Sequence, residues 1–188
     1  MPFVVVYDAC VLYPAPLRDL LVRLGRTGLC QVKWTRQILD ECFRSIAAQR
    51  PDLRPERLLR NRELLEQAIL DVQVSDHEGL IDGISGLPDP DDRHVVAAAI
   101  RCGAQVIVTF NLKDFPERVL ARHGMEAQHP DDFVRGLIDL DEATVAQVVR
   151  AQANSLKNPP KTLAEVLERL REQGLAVSVA MLEELLGV

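Results

Sequence analysis

The chain has 188 residues, of which 47% are hydrophobic and 27% are charged, as in an ordinary globular protein that can bury a core without crosslinks. This length fits one domain, or one domain with a small appendage. The formal net charge of −6 argues against a protein coated in positive charge for nonspecific nucleic-acid binding, but it does not exclude a nucleic-acid substrate.

No stretch of the sequence reaches the roughly 18 unbroken apolar residues of a membrane span. The first residues run straight into an apolar segment with no basic region before it, so we expect no signal peptide and predict a cytoplasmic location. The four cysteines show no CxxC spacing and each lies in an apolar stretch. We therefore expect buried, reduced thiols rather than a zinc site or a disulfide framework.

Strand and helix signals alternate over the first 130 residues, which predicts a parallel sheet covered by helices. Short β-rich runs give the predicted strands, which are 3–7, 29–34, 105–109 and 125–128, with a further short strand over 71–74. Apolar residues at helical spacing give the predicted helices, which are 17–24, 35–46, 54–70 and 92–102, with a helical turn over 79–84. Thr35 is expected to cap its helix, and the spacing of Ser75 and Glu78 predicts a capping box before the helical turn.

After residue 130 the sequence contains only helix signals. The predicted helices are 130–137, 141–155, 162–173 and 178–186, and Thr162 with Glu165 forms a second predicted capping box. We therefore divide the chain into an α/β domain over 1–130 and a small helical extension over 131–188. The extension either packs on the α/β domain or reaches a partner.

Acidic residues recur at four points where a predicted strand ends or a helix faces it. They are Asp8 after the first strand, Glu41 on the following helix, the turn 89–92 that opens a helix, and Asp114 after the best strand. Carboxylates gathered at the carboxyl ends of parallel strands repel one another unless a cation lies between them. Oxygen ligands of this kind suit Mg²⁺ or Mn²⁺ rather than zinc. The pattern indicates metal-dependent chemistry on phosphate.

Each acid also has an ordinary structural explanation. Asp8 could cap the turn that follows it, Asp40 competes with Glu41 for the buried edge of the helix, and the aspartates of 89–92 could be caps. Asp114 could be a turn residue. Burying Asp8 at the end of an apolar strand without a partner would be costly, however, and the combination of four acids carries the hypothesis.

The sequence resembles the PIN-domain ribonucleases in four ordered motifs. The motifs are 3–8 (FVVVYD), 38–41 (ILDE), 89–99 (DPDDRHVVAAA) and 107–115 (IVTFNLKDF). The likeness is greatest to the VapC-type toxins of bacterial type II toxin–antitoxin pairs, it covers roughly 1–130, and the rest resembles the helical extension of one subgroup. The resemblance implies a three-layer α/β/α domain with a central, mainly parallel sheet, followed by an all-helical extension.

The resemblance also implies a set of catalytic, metal-binding acids. By position these are Asp8, Glu41, Asp92 and Asp114, with Asp91 as a stand-in for Asp92. Many relatives carry an acid at the position of Asn111, so Asn111 here is a neutral ligand or a supporting donor. Relatives often have a hydroxyl residue after the first acid, whereas this chain has Ala9 and Cys10.

For such an enzyme the implied cofactor is Mg²⁺ or Mn²⁺, and the implied partners are an RNA substrate, an antitoxin and a second copy of the chain. Thr109 and Asn111 would steady the metal-binding acids, and Arg18 and Arg93 would hold the RNA backbone or complete the site. We expect His94 to pack or cap rather than to act in catalysis. No membrane partner is expected.

Several other functions are compatible with parts of the pattern. A haloacid-dehalogenase-type phosphohydrolase needs a second aspartate where Cys10 stands, and a receiver-type phosphoacceptor offers no role for Glu41 or for the helical extension. A DNA nuclease, a PIN-like nuclease outside toxin–antitoxin systems and a catalytically impaired RNA- or protein-binding module stay open. The neutral Asn111 and the missing hydroxyl after Asp8 are the features that favour the impaired module.

Overall fold

A computed structural model of the chain describes residues 2–188, and its centre is a four-stranded sheet in which all strands are parallel. The strand order is β2-β1-β3-β4, and the strands are β1 (Phe3–Tyr7), β2 (Cys30–Lys33), β3 (Val106–Val108) and β4 (Glu126–Gln128). The helices form the outer layers. The predicted three-layer α/β/α class with a helical C-terminal part is confirmed.

Strand β1 lies in the interior of the sheet, with β2 on one side and β3 on the other. Its last three residues, Val5, Val6 and Tyr7, are completely buried. A strand covered by helices on both faces needs apolar, β-branched or aromatic side chains at successive positions rather than at alternate ones. This is why the continuous run FVVVY forms the middle of the sheet.

The eight helices predicted from the sequence are present among the described residues with small changes at their ends, and two short helices, Ala9–Leu12 and Glu117–Leu120, were not predicted. The helix bounds are α1 (Ala9–Leu12), α2 (Ala15–Gly25), α3 (Arg36–Gln49), α4 (Pro55–Ala68), α5 (Arg93–Cys102), α6 (Glu117–Leu120), α7 (Pro130–Leu140), α8 (Glu142–Ser155), α9 (Leu163–Glu172) and α10 (Ala176–Leu186). Short 3₁₀ turns occupy Glu78–Gly83, Pro90–Asp92, Leu112–Asp114 and Ala121–His123. Within residues 2–188, no helix is both long enough and apolar enough to cross a membrane.

Two of the three predicted caps are confirmed. The Thr35 side chain accepts a hydrogen bond from the Ile38 amide at 3.1 Å, and the capping box at the start of α9 is complete. The capping box predicted from Ser75 and Glu78 is wrong, because the 3₁₀ turn that begins at Glu78 has no side-chain cap. The predicted strand over 71–74 is reduced to a single bridge between Trp34 and Gln73, since the chain touches the end of β2 at one point only.

Helices α7 to α10 pack on the α/β domain instead of reaching away from it. Phe133 of α7 is buried and makes edge-on ring contacts with Phe3 and Tyr7 of β1, at centroid distances of 6.3 and 5.9 Å. Helices α8 and α9 both contact α2. The buried residues of the extension and those of the sheet belong to one continuous hydrophobic cluster.

Two glycines in helices give a matched test of this packing. A Cβ built on Gly25 of α2 would lie 2.6 Å from Val32 Cγ2 and 2.9 Å from Ile69 Cδ1, whereas a Cβ on Gly136 of α7 meets nothing within 4 Å. We expect Gly25→Ala to destabilise the protein by about 1–3 kcal/mol through overpacking. Gly136→Ala should stabilise it by about 0.5–1 kcal/mol, because alanine is the better helix former. Urea unfolding of both variants measures this; equal effects would contradict the close approach of α2 to β2.

Candidate active site

Asp8 lies directly after β1, at the carboxyl edge of the sheet. Tyr7 pairs with Val108 in the parallel register, and the Asp8 amide continues the ladder by donating to the Val108 carbonyl at 3.1 Å. The residues that follow the two strands, Asp8 and Thr109, are therefore neighbours although 101 positions separate them. Only 6% of Asp8 is exposed, so its carboxylate needs partners inside the protein.

Three donors hold the Asp8 carboxylate. The Ala9 amide donates to Oδ1 at 2.7 Å, and the Thr109 hydroxyl donates to Oδ2 at 2.8 Å. The Cys10 thiol also donates to Oδ2, at 3.1 Å. Asp8 caps the short helix α1 through its bond with Ala9, and it is fixed in orientation by Thr109 and Cys10. The Cys10 thiol thus supplies a hydrogen bond to Asp8 in a segment where neither of the two residues after Asp8 carries a hydroxyl.

Helix α3 presents Glu41 to the same edge and turns Asp40 away. The Asp40 carboxylate pairs with the Arg62 guanidinium of α4. Glu41, one position later on the helix, accepts a contact from His94 Nε2 at 3.0 Å and is only partly exposed. The competition between the two acids is therefore decided by α4, which provides a partner for Asp40 on the other side of the helix.

Carboxylates from three separate chain segments line one open cavity of about 370 Å³. Asp8 follows β1, Glu41 lies on α3, and Asp92 ends the 3₁₀ turn that leads into α5. The complete lining is Asp8, Ala9, Cys10, Tyr13, Glu41, Ser45, Gln49, Asp92 and Asn111. Of the four predicted acids, Asp114 is not part of this lining, whereas the neutral Asn111 is.

Comparison with known proteins shows the family to which the chain belongs. The model of the PIN domain matches residues 4–113, which is more than half of the chain. The chain belongs to the PIN-domain family. A second model, the VapC50 C-terminal domain, matches residues 130–184, so the resemblance to VapC-type PIN proteins with a C-terminal extension is confirmed.

One relative of this PIN protein comes from Mycobacterium tuberculosis (strain ATCC 25618 / H37Rv) and is named "Putative ribonuclease VapC50". The two sequences are 44% identical over 82 residues. That segment is 44% of this chain and 48% of the relative, so the match spans about half the length of the relative. No solved structure matches the chain significantly.

The remaining residues predicted for the site, which are Asp91, Arg93, Asp114 and Arg18, do not line this cavity. Asp91 is exposed, and Arg93 has a buried Nε atom without a hydrogen-bond partner in the described residues. Asp114 is partly buried in the 3₁₀ turn after Asn111. The Arg18 guanidinium donates to the carbonyls of Leu12 and Tyr13, at 2.7 and 3.1 Å, and thereby holds the end of α1.

His94 makes a contact in the site that the sequence did not reveal. It is 3% exposed and its Nε2 atom contacts Glu41, so it holds the carboxylate of α3 from the first turn of α5. Its Nδ1 atom is buried without a partner in the described part of the chain. Only the spacing of two residues from Asp92 pointed towards the site, and nothing in the sequence linked His94 to α3.

Burial and neighbouring charges shift the pKa values of two cavity residues. Burial, together with the nearby carboxylates of Asp8, Asp89 and Asp114, raises the pKa of Asp92 to about 6. Asp114 therefore acts on Asp92 electrostatically although it does not line the cavity. Burial and the Asp8 charge raise the pKa of the Cys10 thiol to about 12, so Cys10 is protonated at neutral pH and does not serve as a nucleophile.

The cavity offers the donor set of a hard divalent cation. Its charged groups are carboxylates, and their mutual repulsion, expressed in the raised pKa of Asp92, would be relieved by a bound cation. The side chains are not gathered into a finished cluster: within residues 2–188, no three His, Cys, Asp or Glu residues converge closely enough to hold a metal ion. The lining fits Mg²⁺ or Mn²⁺ in chemical type, with Glu41 held at the wall by His94.

The raised pKa of Asp92 predicts a pH-dependent effect on stability. The folded state binds the Asp92 proton more tightly than the unfolded chain, so this stabilisation is complete below about pH 4 and is lost as the pH rises through about 6. We expect Asp92→Asn to raise the melting temperature at pH 8 by about 2 °C, after allowance for solvent screening. Near pH 4 most of the difference should disappear.

The matched control for this measurement is Asp91→Asn, because Asp91 is exposed and lies outside the cavity. Thermal unfolding across this pH range should show no comparable trend for the control. An Asp92→Asn variant that melts below the parent protein at pH 8 would contradict the repulsion among these carboxylates.

Proposed function

We propose that the chain is a metal-dependent endoribonuclease that hydrolyses RNA phosphodiester bonds. The observation that carries the proposal is the cavity at the carboxyl edge of the sheet, which is lined by Asp8, Glu41 and Asp92 from three segments. Membership of the PIN family and a relative named as a ribonuclease support it. The acidic cavity itself would repel RNA, so the proposal requires a cation to act between the two.

We assign the metal-holding role to Asp8, Glu41 and Asp92, with Asp114, whose charge acts on Asp92, as the fourth acid. When bound, Mg²⁺ or Mn²⁺ would lower the pKa of a coordinated water and offset charge on the leaving oxygen of the phosphodiester. Thr109 and Cys10 keep the Asp8 carboxylate oriented through their bonds to Oδ2. His94 does the same for Glu41. Such fixed orientation lowers the cost of bringing the acids together around one ion.

The chain is further proposed to be the toxin of a type II toxin–antitoxin pair. The match of its C-terminal part to the VapC50 C-terminal domain supports this finer assignment. The nuclease part would comprise 1–130 and the helical extension 131–188. An antitoxin and a second copy of the chain are the proposed protein partners. Growth arrest on expression, relieved by the product of a neighbouring small gene, is the expected result for a toxin.

The Asp8→Asn variant tests the nuclease and its metal together. We expect RNA cleavage with added Mn²⁺ or Mg²⁺ to fall on the order of a hundredfold, because Asn offers a neutral oxygen where the ion needs a charge. Mn²⁺ should also raise the melting temperature of the parent protein by mass action, and this rise should be absent in the variant. The rise should shrink as the pH falls through about 6, because Asp92 then takes up a proton.

Asp139→Asn is the control, because this exposed acid lies on α7 outside the acidic cavity. It should leave both cleavage and the Mn²⁺-dependent melting temperature unchanged. If the parent protein binds RNA without cleaving it, the nuclease proposal is wrong and the chain is a catalytically impaired binding module. The neutral Asn111 in the cavity lining is the feature that favours this alternative. Failure to bind RNA at all would remove both functions.

A further inference from the structure

A second cavity of about 310 Å³ adjoins the acidic one and differs from it in charge. Tyr13 lines both cavities, and its hydroxyl donates to Gln49 Oε1 at 2.7 Å. Because Gln49 lines the acidic cavity, this bonded pair forms part of the wall between the two. The other lining residues on which the argument depends are Arg18, Phe43, Ile46, Arg50 and Arg57.

The second cavity combines an apolar floor with positive charge. Phe43 and Ile46 of α3 are at least nine-tenths buried beneath it. Its charged lining residues are the three arginines Arg18, Arg50 and Arg57, and no carboxylate of residues 2–188 lines it. The charge of this lining is therefore opposite in sign to that of the neighbouring acidic cavity and to the net charge of the chain, which is −6.

The three arginines are not equally available to a ligand. Arg18 is occupied by the carbonyls at the end of α1, and Arg50 forms a two-point pair with Asp52, at 2.8 and 2.7 Å. Arg57 is exposed in the first turn of α4 and forms no salt bridge within residues 2–188. Its guanidinium therefore keeps its full donor capacity, and a phosphate is the group that its planar fork fits best.

We propose that this second cavity is a nucleotide subsite, which holds the nucleotide next to the scissile phosphate of a single-stranded RNA. A base lies over the apolar floor and against Tyr13, and its phosphate pairs with Arg57. The volume is at the small end for ligand sites and suits one nucleoside unit rather than a duplex. Single-stranded RNA is the form whose bases are free to leave the stack and lie on aromatic side chains.

The inference rests on the proposed nuclease function, and it adds a source of affinity that the acidic cavity lacks. An RNA chain that crosses the wall at Tyr13 meets carboxylates on one side and arginines on the other. The arginine side attracts the backbone, so the strand is held while the scissile phosphate lies over the acids. The two cavities together define a path for the strand.

Arg57→Ala and Arg60→Ala form a matched pair for the test. Both residues are exposed on α4, but Arg60 pairs with Glu63 and does not line the cavity. In the cleavage-deficient Asp8→Asn protein, binding of a short fluorescein-labelled single-stranded RNA is measured by anisotropy over a series of salt concentrations. We expect Arg57→Ala to weaken binding about fivefold to tenfold and to lower the slope of log K against log salt by about 0.7, the value for one single-strand phosphate contact.

Arg60→Ala should match its parent in affinity, salt slope and melting temperature. In the cleavage-competent protein, Arg57→Ala should raise KM with kcat unchanged, because the contact is made equally in the ground state and the transition state. An RNA carrying an abasic nucleotide next to the cleavage position should bind the cleavage-deficient Asp8→Asn protein more weakly than the intact strand. Equal binding of the two strands would overturn the role of the apolar floor.

The outcomes separate the subsite from the nuclease function. If the parent protein cleaves RNA and the two arginine variants behave alike, the subsite is wrong and the nuclease stands. A cavity that serves a protein partner instead would also leave RNA binding unchanged in both variants, and that result overturns the proposal. If the parent protein neither cleaves nor binds RNA, the proposed function itself fails.

Discussion

The buried carboxylate of Asp8, at the end of an interior strand, is the constraint around which the rest of the site is organised. Leaving such a charge without donors in the interior would cost several kcal/mol. This cost is offset by hydrogen bonds from the Cys10 thiol and from Thr109, and the bond from Thr109 joins the end of β1 to the segment after β3. The Thr109 hydroxyl also accepts a hydrogen bond from the Asn111 amide at 3.0 Å, so the same group of hydrogen bonds shapes the loop that brings Asn111 to the cavity. The contacts that close the strand ends therefore also orient the side chains of the candidate site.

The other acids of the cavity come from helix α3 and from the 3₁₀ turn before α5 rather than from the end of a strand. The pairing of Asp40 with Arg62 fixes the rotation of α3 and leaves Glu41 on the cavity side. His94 then ties Glu41 to the first turn of α5, which directly follows Asp92. A helix rotated by one residue would exchange the two acids of α3. The contacts of α4 thus matter for the site although α4 contributes no acid to it.

How much could be read from the sequence depended on whether the information was local. The run FVVVY, the alternation of strands and helices, and the Thr35 and Thr162 caps are local patterns, and all were predicted correctly. The capping box at Ser75 failed because the spacing of residue types does not ensure the backbone geometry that a cap needs. The contacts of Cys10 and His94 were out of reach, since each depends on which distant segment the fold brings alongside. The choice between Asp40 and Glu41 needed the position of α4 for the same reason.

The helical extension bears on the site through α2, although it contributes no residue to the cavity lining. Helix α2 contacts β2 of the sheet and also contacts helices α8 and α9. The first turn of α2 forms hydrogen bonds with side chains of the extension. The Gln173 side chain accepts from the Leu17 amide, and the Gln152 side chain donates to the Pro16 carbonyl, both at 2.9 Å. Arg18, one residue further on, holds the end of α1, and α1 is the helix that Asp8 caps. The extension therefore restrains, through three consecutive residues of α2, the short segment that fixes the Asp8 carboxylate.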